Sequence, residues 1–326
     1  MAHNLEMVNG KAQMAWVGET PWHNLGVAVS NDISTDDMMK AAGLDWTVSK
    51  VPAFATIAGK KVDIGRSALV RSTDNRIFDV VPNDWNEVQN AEAFEFFREW
   101  VEAGDMEMHT AGALDDGRRI WVLAKTKEKF EVFGGDVIED YFLLSNPHQY
   151  GSSFEARSTK IRVVCNNTLT VALKDESAVA VRLNHRRKFD VDEVKSMVGI
   201  SKQKLGAYKE LAEYLGTRRA TPENVIQYFK DVFPLTGKVD DQKRMEKISR
   251  PATQALGVLE TQPGAEFARG SWWQVFNSCT YVVDHELGKS DDTRLNSAWF
   301  GFNRGRKIKA LDLAVQYAEK SPALAA

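Results

Sequence analysis

The chain has 326 residues, of which 43% are hydrophobic and 27% charged, with a formal net charge of −3 and two cysteines. This is enough apolar sequence for one large or two ordinary domains. Cys165 and Cys279 show no zinc-type or disulfide spacing, so the composition excludes a disulfide scaffold and indicates no metal. Without an apolar run of membrane length or a signal peptide, we expect a cytoplasmic protein with no membrane contact.

The charges are distributed unevenly along the chain. Residues 1–116 contain 9 Lys and Arg against 19 Asp and Glu, whereas the remainder contains 33 against 26. The basic remainder is therefore where we expect a polyanion to bind. The acidic N-terminal part suggests a different function, namely contact with another protein.

The N-terminal elements alternate in a regular order. The stretch "TDDMMKAAG" predicts a short helix capped by Ser34 or Thr35. The stretches "DWTVSKVPAFATI" and "GKKVDIGRSALVR" predict paired strands with Gly59-Lys60 at the turn, and a third strand follows at 76–81. The segment "NAEAFEFFREWVEAG" predicts a helix capped by Asn90. Three strands followed by a helix give a β-β-β-α core.

Further strands and then helices are predicted downstream. Asp115-Asp116-Gly117 marks a hairpin, and "VIEDYFLLS", "TKIRVVC" and "AVAVRLN" read as strands. The stretch "NNTLTVALKD" is predicted to turn helical, and nearly everything beyond residue 190 has helical periodicity. We therefore predict an α+β fold: a twisted, largely antiparallel sheet domain over 1–190, then an α-helical domain over 191–326.

Three polar positions are catalytic candidates. In "IRVVCNNTLTVAL", Cys165 is either the end of a strand followed by an Asn cap, or a nucleophile activated by a helix N-terminus with His148 as its base. His23 in "TPWHNLG" is either packed in a fixed turn or a base or ligand. No phosphate-binding loop, dinucleotide fingerprint, esterase elbow or zinc-protease motif is present, so no cofactor is predicted.

The loop "SNPHQYGSSFEARSTKIR" has the residue types of a nucleic-acid site. Hydroxyls, a Gly-Ser backbone and cations suit phosphates, and aromatic rings suit bases. The alternative is an ordinary solvated hairpin loop. On the first interpretation the phosphate contacts come from this loop and the neighbouring hairpin, and the stacking faces from two rings: Arg118, Arg119, Lys125, Arg157, Lys160 and Arg162, with Trp121 and Tyr150.

Three blocks carry a resemblance to a known family. "WHNLGV", "SNPHQYGSS" with "TKIRVVCNNTLTVAL", and "GSWWQVFNSCTYVVDHELG…WFGFNRGRKIKALDLA" resemble, in this order, the phage and plasmid-like family described as domain of unknown function 932. A more remote similarity, in element order, is to Rad52-like single-strand annealing proteins of phages and plasmids. That similarity implies a basic groove for one DNA strand and assembly into a homo-oligomeric ring or filament.

The leading functional hypothesis is therefore binding of single-stranded DNA, in annealing or recombination, without nucleotide hydrolysis. The alternatives are an enzyme with a converging site of His23, His148 and Cys165, and a counter-defence factor that contacts a host protein through the acidic N-terminal part. For a phage or plasmid protein, the resemblance implies the cytoplasm of a bacterial host cell. For the enzyme, those three side chains would have to lie within a few hydrogen-bond lengths of one another.

Overall fold

The computed structural model describes residues 5–18, 25–162, 167–169, 180–183, 185, 206–235, 247–288 and 297–324, with backbone alone at 162, 167–169 and 180–183. It has a mixed α+β fold with twisted, largely antiparallel sheets, as the sequence predicts. Contacts divide the chain into two compact units. One comprises residues 1–127, 141–158 and 177–201, and the other comprises 128–140, 159–176 and 202–326.

The strands in chain order are β1 Met7–Val8, β2 Lys11–Ala12, β3 Met14–Val17, β4 Val27–Val29, β5 Val48–Ile57, β6 Lys60–Arg71, β7 Ile77–Pro82, β8 Met106–Leu114, β9 Arg119–Val132, β10 Asp136–Pro147, β11 Phe154–Arg162, β12 Asn167–Leu169 and β13 Ala180–Leu183. An eight-stranded sheet has the order β12-β11-β10-β9-β8-β3-β4, with β13 also paired to β11. Within it β3 and β4 run parallel, whereas β8 is antiparallel to both β3 and β9. The strands β5, β6 and β7 form a separate antiparallel sheet.

Helix α1 (Thr35–Ala41) begins as its sequence predicts. The hydroxyl of Ser34 accepts a hydrogen bond from the backbone N–H of Asp37 at 3.1 Å, which satisfies one of the unpaired amides of the first turn. The carboxylates of Asp36 and Asp37 lie at the positive end of the helix dipole.

Helix α2 (Asn90–Glu102) completes the predicted β-β-β-α order, but its N-cap is Gln89 rather than Asn90. The N–H of Gln89 donates to the carboxylate of Glu92 at 2.6 Å. The side chain of Asn90 is turned instead to the carbonyl of Leu44, at 2.9 Å. The side chain of Asn90, which the local sequence predicts as the helix cap, therefore makes a tertiary hydrogen bond instead.

The hairpin of β5 and β6 turns one residue earlier than predicted. Ile57 pairs with Lys60, so the turn residues are Ala58 and Gly59, with φ of 48° and 78°. A two-residue turn whose twist matches the strands needs positive φ at both central positions, which Ala58-Gly59 adopts.

The predicted helix at "NNTLTVALKD" is wrong at its start. Residues Asn167–Leu169 form β12, and Ile161 of β11 is paired with Thr168. Asn167 is therefore a strand residue and not a helix cap. Pairing with β11 determines the conformation of these residues, and the local sequence pattern carries no information about that pairing. The rest of that stretch lies outside the described residues.

The second unit contains the C-terminal helices. These are α3 Pro222–Val232, α4 Arg250–Val258, α5 Trp272–Tyr281, a π-helical turn Val282–Glu286, and α6 Phe302–Glu319. Residues 206–216 are also helical. Trp272, Phe276 and Cys279 are buried, so this helix packs in the core of the second unit. None of the described helices combines the length and the apolar character needed to cross a bilayer.

The first unit has its own hydrophobic core between α1, α2 and the sheets. Helix α2 contributes Phe94, Phe96 and Phe97, each no more than 1% exposed. Trp46, which lies two residues before β5, and Phe78 of β7 pack with them. This core fixes β7 and the loop that follows it, and these segments carry one wall of the candidate site described next.

Candidate nucleic-acid interface

Most of the cations predicted to bind phosphate are engaged within the protein. The guanidinium of Arg118 is half-buried and donates to the carbonyl of Phe78 at 3.1 Å. Arg119 donates to the hydroxyl of Ser145 at 3.0 Å, and burial lowers the pKa of its guanidinium. Lys125 is half-buried in the same hairpin. These side chains do not form an open row of charges.

The two cations of β11 with described side chains are deeply buried. Arg157 is 6% exposed and is paired with Glu155 at 2.7 Å. Lys160 is 2% exposed and is paired with the buried carboxylate of Asp140. Burial lowers the pKa of the Lys160 ammonium, against the opposing effect of Asp140. A nucleic-acid strand in solvent does not reach either group, so Arg157 and Lys160 do not supply the phosphate contacts predicted along β11. The side chain of Arg162 lies outside the described residues.

Trp121 does not present a stacking face, because it is 1% exposed. A Cβ on Gly112 of β8 would lie 2.2 Å from the ring, so the indole is packed directly against the neighbouring strand. The sequence pattern of β9 showed an aromatic residue but not which side of the sheet it occupies.

Tyr150 is the predicted site residue that remains open, with 47% exposure. Its backbone N–H donates to the carboxylate of Asp79 on β7 at 2.9 Å, which anchors the loop to the three-stranded sheet. Gly151 follows with φ of 78°, a conformation that glycine adopts without strain. The guanidinium carbon of Arg66 lies 6.0 Å from the Tyr150 ring centroid.

The β5–β6 hairpin is a basic element that the sequence interpretation missed. Between residues 48 and 70 it carries Lys50, Lys60, Lys61 and Arg66 against Asp63 alone, inside an N-terminal part that is otherwise acidic. Lys50 is held by the carbonyl of Trp85 at 2.8 Å, whereas the other three cations are exposed. Counting charges over a window of about twenty residues would have shown this basic hairpin. Counting them over residues 1–116 as a whole concealed it.

The hairpin also exposes apolar and aromatic side chains. Phe54 is 46% exposed, and the ammonium of Lys61 lies 3.9 Å from its ring centroid, in a cation–π contact. Ile57, Val62 and Ile64 are between 41% and 60% exposed. The strand register places Phe54 and Lys61 on one face of the hairpin, and Ile57, Val62 and Ile64 on the other.

A cavity of about 240 Å³ lies beside Tyr150. Its walls come from the end of β7 and from the loop after β10, and its lining residues are Pro82, Asp84, Trp85, Tyr150, Gly151, Ser152 and Ser153. Together with Arg66 these residues form what we call the Tyr150 site. The hydroxyls, backbone and rings of this site are groups that can bond to a nucleotide.

Of the three catalytic candidates, the structure describes His148. His148 is fully buried, and burial lowers the pKa of its imidazole to about 3. Its Nε2 lies 3.0 Å from the amide oxygen of Asn90, and its ring stacks on Phe78 at 5.6 Å. His148 is therefore a neutral core residue here, and His23 and Cys165 lie outside the described residues. The described part contains no cluster of three metal-ligating side chains.

Comparison with known proteins places the chain in a family. No curated protein and no solved structure matches it. One family model, described as Domain of unknown function (DUF932), matches residues 77–299, which includes the cavity but not the β5–β6 hairpin. Since that match covers more than half of the chain, and the quoted sequence blocks resemble the same family, the protein belongs to the DUF932 family.

Proposed function

We propose that the protein binds single-stranded nucleic acid through the β5–β6 hairpin and the Tyr150 site. The observation that carries the proposal is the pairing of two exposed rings with two cations: Phe54 with Lys61, and Tyr150 with Arg66. Rings on which bases stack, set among cations that follow the backbone, are the common features of proteins that bind single strands without sequence preference.

The binding mechanism that follows uses charge and stacking alone. Lys60, Lys61 and Arg66 neutralise phosphates, and this releases condensed counterions. The exposed rings hold bases out of the strand's own stack. A strand held in this way keeps its Watson–Crick edges available, so base pairing with a second strand supplies the selectivity, and no nucleotide hydrolysis is needed.

Annealing or recombination for a phage or plasmid is the biological role that we propose for this binding. The support is the order β5, β6, β7 and α2, which is the β-β-β-α order of Rad52-like annealing proteins. Element order is an analogy and recurs in unrelated α+β domains. Under the same proposal the protein acts as a homo-oligomeric ring or filament, and electron microscopy with and without DNA tests that part separately.

Reversal of the two ring-paired cations tests the binding site. We expect the double variant Lys61→Glu/Arg66→Glu to bind a single-stranded oligonucleotide at least about tenfold more weakly than the wild type, because two phosphate contacts become repulsive. The measurement is a titration by isothermal calorimetry at low salt, with circular dichroism to show that the variant is folded.

The matched control is Lys209→Glu/Lys320→Glu. Both lysines are exposed in the second unit, and the double reversal changes the net charge by the same amount. We expect this control to bind within a few-fold of the wild type. Equal losses in both double variants would show a general charge effect, and no loss in the first would rule out the hairpin and the Tyr150 site as the interface.

A further inference from the structure

The Tyr150 cavity is sized and lined for one nucleobase. Its volume of about 240 Å³ is below the roughly 300–1,000 Å³ of sites for drug-sized ligands and cofactors. A whole dinucleotide cofactor is therefore too large, whereas a single base is not. The wall combines the exposed Tyr150 ring with the half-buried Ser152 and Ser153.

A buried histidine packs against Trp85 of this wall. His185 is 2% exposed, and its ring stacks on Trp85 of the cavity lining at a centroid distance of 4.1 Å. Its Nδ1 lies 3.0 Å from the carbonyl of Asn86, but its Nε2 has no hydrogen-bond partner among the described residues. The His185 ring therefore covers one face of the Trp85 indole, which is itself only 3% exposed.

The cations around the cavity suit a strand better than a free base. Arg66 stands over the Tyr150 ring, and the hairpin that carries Arg66 adds Lys60 and Lys61. Because consecutive strand residues point to opposite faces, Lys60 and Lys61 offer a phosphate chain one contact on each side of the hairpin near its turn. Asp84 and the two serines of the lining offer the polar groups that a base edge requires.

We propose that the Tyr150 cavity receives one unstacked base of the bound strand, held against the exposed ring of Tyr150. This inference rests on the proposed function and adds to it the ligand of this cavity, a single nucleobase within a strand. Stacking of one base on an aromatic side chain changes affinity by about 5- to 150-fold. A strand whose critical base is missing therefore binds more weakly by that factor.

Photocrosslinking on the wild-type protein tests the base position directly. The probe is a single-stranded oligonucleotide carrying 5-iodouracil, which forms adducts with aromatic side chains in contact with the base. We expect peptide mapping by mass spectrometry to place an adduct on Tyr150. Adducts confined to other positions, such as Phe54, on a strand that still binds would overturn base insertion and leave strand binding intact.

A pair of variants at Ser153 supplies the control. Ser153→Leu fills the cavity without changing a charge, and we expect it to lose the Tyr150 adduct and to weaken strand binding by about 5- to 150-fold. Ser153→Ala should keep both. An undiminished adduct in a folded Ser153→Leu protein would contradict the inference, and absence of any strand binding by the wild type at low salt would contradict the proposed function as well.

Discussion

At the residue scale, His148 couples the stability of the first unit to pH. Its imidazole has a pKa of about 3 in the folded protein against an ordinary value of 6.5, because burial disfavours the charged form. Between these values the unfolded chain binds a proton that the folded chain excludes. The stabilising effect is therefore complete above about pH 6.5 and is lost as the pH falls toward 3, at up to about 1.4 kcal/mol per pH unit.

We expect the midpoint of urea unfolding to fall between pH 7 and pH 4, and to fall less steeply in His148→Gln. The amide of the variant can still donate to Asn90 but does not titrate. Part of the pH dependence should remain, since burial also lowers the pKa of His185. Identical pH profiles for the two proteins would show that His148 is not the group responsible.

Burial also makes some of the cations predicted from the sequence unsuitable for charge-reversal tests of DNA binding. Reversal of Lys160 would place a second carboxylate beside the buried Asp140, so a loss of DNA binding in that variant would report misfolding. Lys61 and Arg66 have no buried acidic partner of this kind among the residues described. Their reversal reports on the surface.

At the element scale, the hairpin is the part of the fold that contributes most to the proposed binding and least to the core. Pro52 pairs with Ser67, so residues 53–66 can be replaced by Asn-Gly, which closes a two-residue turn. Most side chains removed are exposed or half-buried. We expect the thermal unfolding midpoint to change by only a few degrees and the affinity for single strands to fall at least about tenfold. Unchanged affinity in this folded variant would exclude the hairpin.

Elements defined by local signals could be predicted, and those defined by distant pairing could not. Helix α1 follows from Ser34 and the two acids after it, and the β8–β9 turn follows from Asp115-Asp116-Gly117. The helix predicted at Asn167 is a strand, because pairing with β11 outweighs local periodicity. Tyr150 was identified from its polar loop, which local sequence defines.

The buried state of the other site residues was not predictable in the same way. Lys160 is buried because Asp140, twenty residues earlier in the chain, neutralises it within the second unit. Trp121 is buried because the glycine opposite, Gly112, allows the indole to approach β8. Both causes are contacts across strands, so a cation or ring counted along the sequence does not reveal whether solvent reaches it.

At the scale of the whole molecule, charge distribution rather than net charge controls the expected binding. The net charge of −3 would repel a polyanion, and the N-terminal part is more acidic still. The exposed cations of the hairpin are a local exception within that part, so binding should depend on close contact and be strongly screened by salt. If the cations were spread over the whole surface instead, removing any one element would reduce the affinity for the strand less.

The most direct test is the fluorescence anisotropy of a labelled single-stranded oligonucleotide titrated with the protein at several salt concentrations. With three exposed hairpin cations on phosphates, we expect log affinity to fall against log salt with a slope of about −2, and to fall with a shallower slope for Lys61→Glu/Arg66→Glu. A duplex of the same length should bind more weakly, since its bases are not available for stacking. Absence of binding at low salt, or equal affinity for strand and duplex, would contradict the account.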